Sequence, residues 1–204
     1  MEGKQGMDTK KQVYVQDILK IGEAIIPRDK IPEIDLYMDQ LTTFMDDKLK
    51  ACKRAQDEKI LTKTMINNYS KDKMLPASVN KKYSRTHMMM LVLIYQLKAT
   101  LSISDIQLLL ANIGEGEPLA AMYDAFTAMQ AGVAQRAADD LPRTMDAAAS
   151  LLPDGDENAQ ALAAVLELSL EAAAKKRLAE RILDSYFAAE SAQPEKAKPA
   201  EKTK

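Results

Sequence analysis

Seven cations stand between residues 59 and 85: Lys59, Lys63, Lys71, Lys73, Lys81, Lys82 and Arg85. One acid, Asp72, opposes them, which leaves this segment at +6 within a chain of formal net charge −2. The cations surround a helix–loop–helix pattern and do not form a tail. A patch of that kind is the electrostatic footprint of phosphate binding. Each phosphate neutralised releases counterions, so affinity for a nucleic acid should fall steeply with salt. Two amides, Asn67 and Asn68, stand among the lysines. An asparagine can pair bidentately with adenine, whereas lysine suits guanine or phosphate.

Other chemistry is poorly provided for. His87 is the sole histidine and Cys52 the sole thiol, and neither has a partner at metal-ligand spacing. No disulfide can form within one chain. Asp35, Asp39, Asp46 and Asp47 are explained by helix starts and solvation. Gly114-Glu-Gly116 lacks the lysine and the preceding strand of a phosphate loop. No Ser-His-Asp, Cys-His or paired-carboxylate arrangement stands out, so the expectation is a protein that is not an enzyme and needs no cofactor or metal.

The elements that must position the basic segment are helical. Ala, Leu, Met, Glu and Lys dominate, Trp is absent and Phe occurs three times, a composition that favours helix over sheet. Residues 1–12 read as disordered and 13–26 as a short helix, with Pro27 and Pro32 bracketing an extended connector. From Asp35, Leu36, Met38, Leu41, Phe44, Met45 and Leu49 recur at helical spacing. Thr62 is the expected N-cap of a helix over 63–70 that buries Met65, Ile66 and Tyr69. A loop over 71–82 leads to a helix apolar on several faces, which belongs at the centre of a core. Ser102 or Ser104 caps a short helix over 105–110. Two glycines and a proline in 112–118 predict a domain boundary.

Beyond that boundary, helices are expected over 119–138 and around 143–151, then a turn at Pro153-Asp-Gly-Asp. One long helix over 157–189 follows, with Leu162, Val165, Leu166, Leu170, Leu178, Ile182 and Leu183 as its buried stripe. Residues 191–204 read as a disordered tail. The predicted organisation is thus a module over 13–112, a helical region over 117–190 for dimerisation or regulation, and disordered ends.

The segments Thr62-Lys-Thr-Met-Ile-Asn-Asn-Tyr69, Lys73-Met-Leu-Pro76, Lys81-Lys-Tyr-Ser84 and 91–110 resemble the MerR-type winged helix-turn-helix. Asn67 stands where that family usually carries Arg, and Lys73, Ser78, Lys81 and Lys82 replace its wing glycine and arginine. A closer resemblance is to a bacterial family known only as domain of unknown function number eighteen thirty-six. It rests on Ile31-Pro-Glu-Ile-Asp-Leu-Tyr-Met-Asp-Gln40, Thr64-Met-Ile-Asn-Asn-Tyr69, Lys82-Tyr-Ser84 and Ser102-Ile-Ser-Asp-Ile106.

These resemblances imply an all-α fold: a MerR-like winged helix-turn-helix domain followed by a C-terminal helical hairpin or small bundle. They imply a transcriptional regulator that binds double-stranded DNA as a homodimer. In that reading Lys63, Thr64, Asn67 and Asn68 face the major groove, Lys73, Lys81, Lys82 and Arg85 hold phosphates, and the hydroxyls of Tyr69 and Tyr83 reach the backbone. Both tyrosines are better read as core or hinge residues with a polar tip at the surface. An effector ligand is possible, but no residue identifies one. The alternative is a protein-interaction adaptor that keeps the winged-helix fold without binding DNA. The longest apolar run, 88–95, is far shorter than the roughly 20 residues a membrane span needs, so a cytoplasmic protein without membrane contact is expected.

Overall fold

A computed structural model describes residues 2–55 and 57–188. Among these residues the chain forms helices α1 Glu2–Glu23, α2 Met38–Lys48, α3 Lys63–Lys71, α4 Arg85–Leu97, α5 Ile103–Ile113, α6 Glu117–Leu151 and α7 Glu157–Leu183. Two short strands, β1 Leu36–Tyr37 and β2 Lys82–Tyr83, pair antiparallel, with Leu36 opposite Tyr83 and Tyr37 opposite Lys82. The protein is therefore mostly helical, as its composition requires.

The core is built around α4, in which every residue from His87 to Tyr95 is buried. A helix apolar on all faces is stable only when other elements surround it. Here α2 supplies Leu41 and Met45, α3 supplies Ile66 and Tyr69, and α5 supplies Ile106 and Leu110. The core does not stop at the glycine break. Gly114 and Gly116 both take positive φ and turn the chain, but Leu119 and Tyr123 of α6 are buried in the same cluster. The Tyr123 hydroxyl donates to the Ile26 carbonyl at 2.7 Å, and Arg28 makes a two-point pair with Asp124. Burial raises the Tyr123 phenol pKa far above its ordinary value. These bonds tie the connector that follows α1 to the first turns of α6.

Outside that core lie α1, the rest of α6, and α7. Helix α1 begins at Glu2, so residues 2–12 are helical where disorder was expected, and the helix ends at Glu23. No proline precedes Pro27, and α1 packs along α6, which supplies the tertiary contact that propensity alone lacks. The two helices approach closely at Gly22, where an added methyl would collide with Ala134.

Helix α6 is one continuous helix, not the two expected on either side of Pro142. An interior proline removes a backbone donor and costs about 3 kcal/mol. Ala138, Thr144 and Ala148 are buried on both sides of it, so packing carries the helix through. The turn after Pro153 leads to Asp156, whose carboxylate caps α7 by accepting from the Ala159 amide at 2.8 Å. Helices α6 and α7 pack on each other, in line with the expected hairpin.

The expected burial along α7 is overturned. Leu162, Val165, Leu166, Leu170, Leu178 and Ile182 are all exposed, and of the seven only Leu183 is buried. All eleven residues from Leu168 to Leu178 are exposed, so this stretch is largely open to solvent within one chain. The stripe was assigned to a core that this single chain does not supply. The proposed tail 191–204 lies outside the described residues.

Candidate nucleic-acid interface

The candidate surface is assembled from α3, the loop that follows it, and β2. Helix α3 starts where it does because the Thr62 hydroxyl accepts from the Met65 amide at 3.2 Å. Its inward face carries Ile66 and Tyr69. At helical spacing, the opposite face presents Lys63, Thr64, Asn67, Asn68 and Lys71, all exposed. Lys71 was not among the expected site residues, although its distance of four from Asn67 and eight from Lys63 signals that it shares their face.

The helix ends in a reversal in which Met74 N–H donates to the Tyr69 carbonyl at 2.9 Å and Lys73 N–H to the Ser70 carbonyl at 3.2 Å. That is the Schellman pattern, which places Lys73 in the left-handed region at φ 57°. At the far end of the loop, Asn80 and Lys81 also have positive φ, 53° and 60°. Asparagine tolerates this region; lysine pays a strain of about 1–2 kcal/mol that glycine would not. Both bends of the loop thus hold an exposed lysine where glycine is the ordinary choice.

Lys63 and Lys82 converge on one short stretch. Lys63 pairs with Asp39 at the start of α2, and Lys82 lies over the Tyr37 ring, 5.1 Å from its centre. Tyr37 and Asp39 are two residues apart, so the head of α3 and the base of the loop flank the β1–α2 junction. The Lys63–Asp39 pair is largely exposed, a setting in which an ion pair contributes only about 0–1 kcal/mol.

Three expected site residues face elsewhere. Tyr69 and Tyr83 are each 6% exposed and belong to the core. Burial raises the Tyr69 pKa above its ordinary value, as expected of a phenol withdrawn from water. Arg85 turns inward: its guanidinium donates to the Arg28 carbonyl and lies 3.5 Å from Glu33. It holds the proline-flanked connector in place, and its charge is engaged within the chain. Its Nε is buried without a partner, a cost carried by this clamp.

A role that the sequence did not disclose belongs to His87. It is 4% exposed and bonds to both sides of the loop. The Ser84 amide donates to Nδ1 at 3.0 Å, so Nε2 carries the hydrogen and donates to the Pro76 carbonyl at 3.1 Å. The Tyr83 ring packs edge-on against the imidazole at 5.3 Å. Its three-residue spacing from Ser84 is the one local signal that could have revealed it.

Of two further openings, one lies apart from this surface and one adjoins it. Between α1, α4 and α6 an apolar groove of about 450 Å³ is lined by Ile18, Ile21, Leu97, Phe126, Met129 and Val133, with Gln96 and Gln130 as polar groups. A wider cleft beside the head of α3 mixes acids and lysines in equal number. Among the described residues no helix is long and apolar enough to cross a membrane, and no three His, Cys, Asp or Glu side chains gather as a metal site.

These features define a mostly helical module: a capped helix with a polar outer face, a loop locked onto a buried central helix, and a two-stranded clasp. Residues 26–126 match the model of the family DUF1836, a domain of unknown function. The match begins at Ile26, which accepts the Tyr123 hydrogen bond, and ends at Phe126, where the common core ends. No curated protein and no solved structure matches the chain.

Proposed function

We propose that this protein is a sequence-specific DNA-binding regulator, with a MerR-like winged helix-turn-helix in the DUF1836 domain and two copies reading two half-sites. The observation that carries the reading is the outward face of α3, where Lys63, Thr64, Asn67, Asn68 and Lys71 are exposed together beside a rigid loop bearing Lys73, Lys81 and Lys82. An exposed polar helix face suits the major groove, and flanking lysines suit the phosphates on either side. The two left-handed lysines add support, because strained backbone persists where a side chain is wanted at a fixed place. Tyr69, Tyr83 and Arg85 take no part in DNA contact and serve as supports.

The test is selection from a pool of genomic fragments, including the protein's own upstream region, at two salt concentrations. Discrete enriched sites are expected. Lys81→Ala and Lys82→Ala should each lower the salt dependence by about one unit of slope and weaken all sequences alike. Asn67→Ala should relax discrimination at one base pair, worth about 1–3 kcal/mol. A folded protein that enriches nothing at low salt would sink the reading.

A second reading, an adaptor with this fold and no DNA binding, draws on Asp39 and Glu33. They set negative charge against Lys63 and Arg85 at the edge of the proposed surface.

A further inference from the structure

We infer that α7 is a self-association helix that pairs antiparallel with α7 of a second copy of this chain. The inference rests on the dimeric part of the reading above but not on DNA binding. Leu162, Leu166, Leu170, Leu178 and Ile182 are at least half exposed, with Leu170 at 72%. Together with Ala174 they recur every four residues, so they form one ridge along the helix. A stretch of three turns with little packing is marginal in water, and this one is exposed at every residue from Leu168 to Leu178.

Charge selects the occupant and its direction. From Glu157 to Glu171 the helix holds three acids, Glu157, Glu167 and Glu171, and no base. From Lys175 to Ile182 it holds Lys175, Lys176, Arg177 and Arg181 against Glu180 alone. A helix acidic in its first half and basic in its second repels a parallel copy and attracts an antiparallel one. A two-fold axis at Ala172 sets Leu166 against the other copy's Leu178 and Leu170 against its Ala174. It also brings Glu167 towards the other copy's Arg177. Neither Glu167 nor Arg177 has an ion pair among the described residues, whereas Lys175 and Lys176 are paired within their own helix. Because an i, i+4 row drifts by about 40° per step, the pairs nearest the axis pack best. The small Ala172, Ala173 and Ala174 lie where the two backbones must come closest.

Sedimentation equilibrium of the full chain, without DNA, tests this. A dimer is expected at micromolar concentration. Leu170→Asp should yield a monomer that still unfolds cooperatively, since the side chain is exposed within one chain. Arg177→Glu should weaken the dimer about tenfold, and adding Glu167→Arg should restore it. A wild-type monomer at tens of micromolar overturns the inference. So does a dimer indifferent to Leu170→Asp, or a charge reversal that the second substitution does not rescue. A dimer that enriches no DNA would sink the regulator reading and leave this one standing.

Discussion

The DUF1836 stretch and the helices outside it treat apolar residues in opposite ways. In α4, nine consecutive residues are buried, and every neighbouring element contributes to covering them. In α7, eleven consecutive residues are exposed, three leucines among them. Helix α7 is the richer of the two in good helix formers, so propensity does not explain why α4 is the one that is covered. One has its partners within the chain; the other has its middle turns uncovered. The contrast locates the family's own stability in 26–126 and leaves α7 dependent on something else.

The largest test of that contrast is a matched pair of truncations. Leu91→Ala, at a fully buried position, should cost about 3–5 kcal/mol of unfolding free energy. Leu170→Ala should cost under about 0.5 kcal/mol when both are measured by urea denaturation at low protein concentration. A large cost at Leu170 there would mean that α7 is covered within one chain.

A second test uses alkali. The Tyr95 phenol is raised from 10 to about 12, first by burial and then by the charges of Cys52, Glu58 and Asp46. The unfolded chain therefore loses this proton first, and stability present below pH 10 is lost as pH rises through 12. The loss from this group should be on the order of 2 kcal/mol by pH 12, and Tyr95→Phe should remove it from the pH profile.

The smallest effect lies where the two regions meet. Tyr123→Phe leaves the Ile26 carbonyl without its donor and should cost about 1–2 kcal/mol in thermal or urea unfolding. If the cost is negligible, the bond does not secure the connector to α6.

Local signals in the sequence were legible where local chemistry decides the outcome. Thr62 caps α3, Ser102 caps α5 by accepting from the Asp105 amide, and the apolar run of α4 is buried as its pattern required. What escaped depends on partners far along the chain. Arg85 looked like a phosphate ligand because its neighbours are cations, but its partner is a carbonyl 57 residues away. The start of α1 was missed because its support is α6, more than a hundred residues downstream. The continuity of α6 from Glu117 to Leu151 was missed because the packing that carries it through Pro142 leaves no mark on the residues beside it. Of the candidate surface, the polar face of α3 and the loop lysines could be read from spacing and charge. The inward turn of Arg85 could not, because type alone does not fix which way an amphipathic side chain points.

One imidazole bonded to Pro76 on one side and Ser84 on the other makes the intervening loop a closed ring. The entropy of bringing its ends together is spent when the protein folds, not when something grips the loop. A binder that meets Lys81 and Lys82 therefore meets a segment already in its final shape. Its affinity is not reduced by the cost of ordering a floppy arm, and its off-rate should reflect contacts alone.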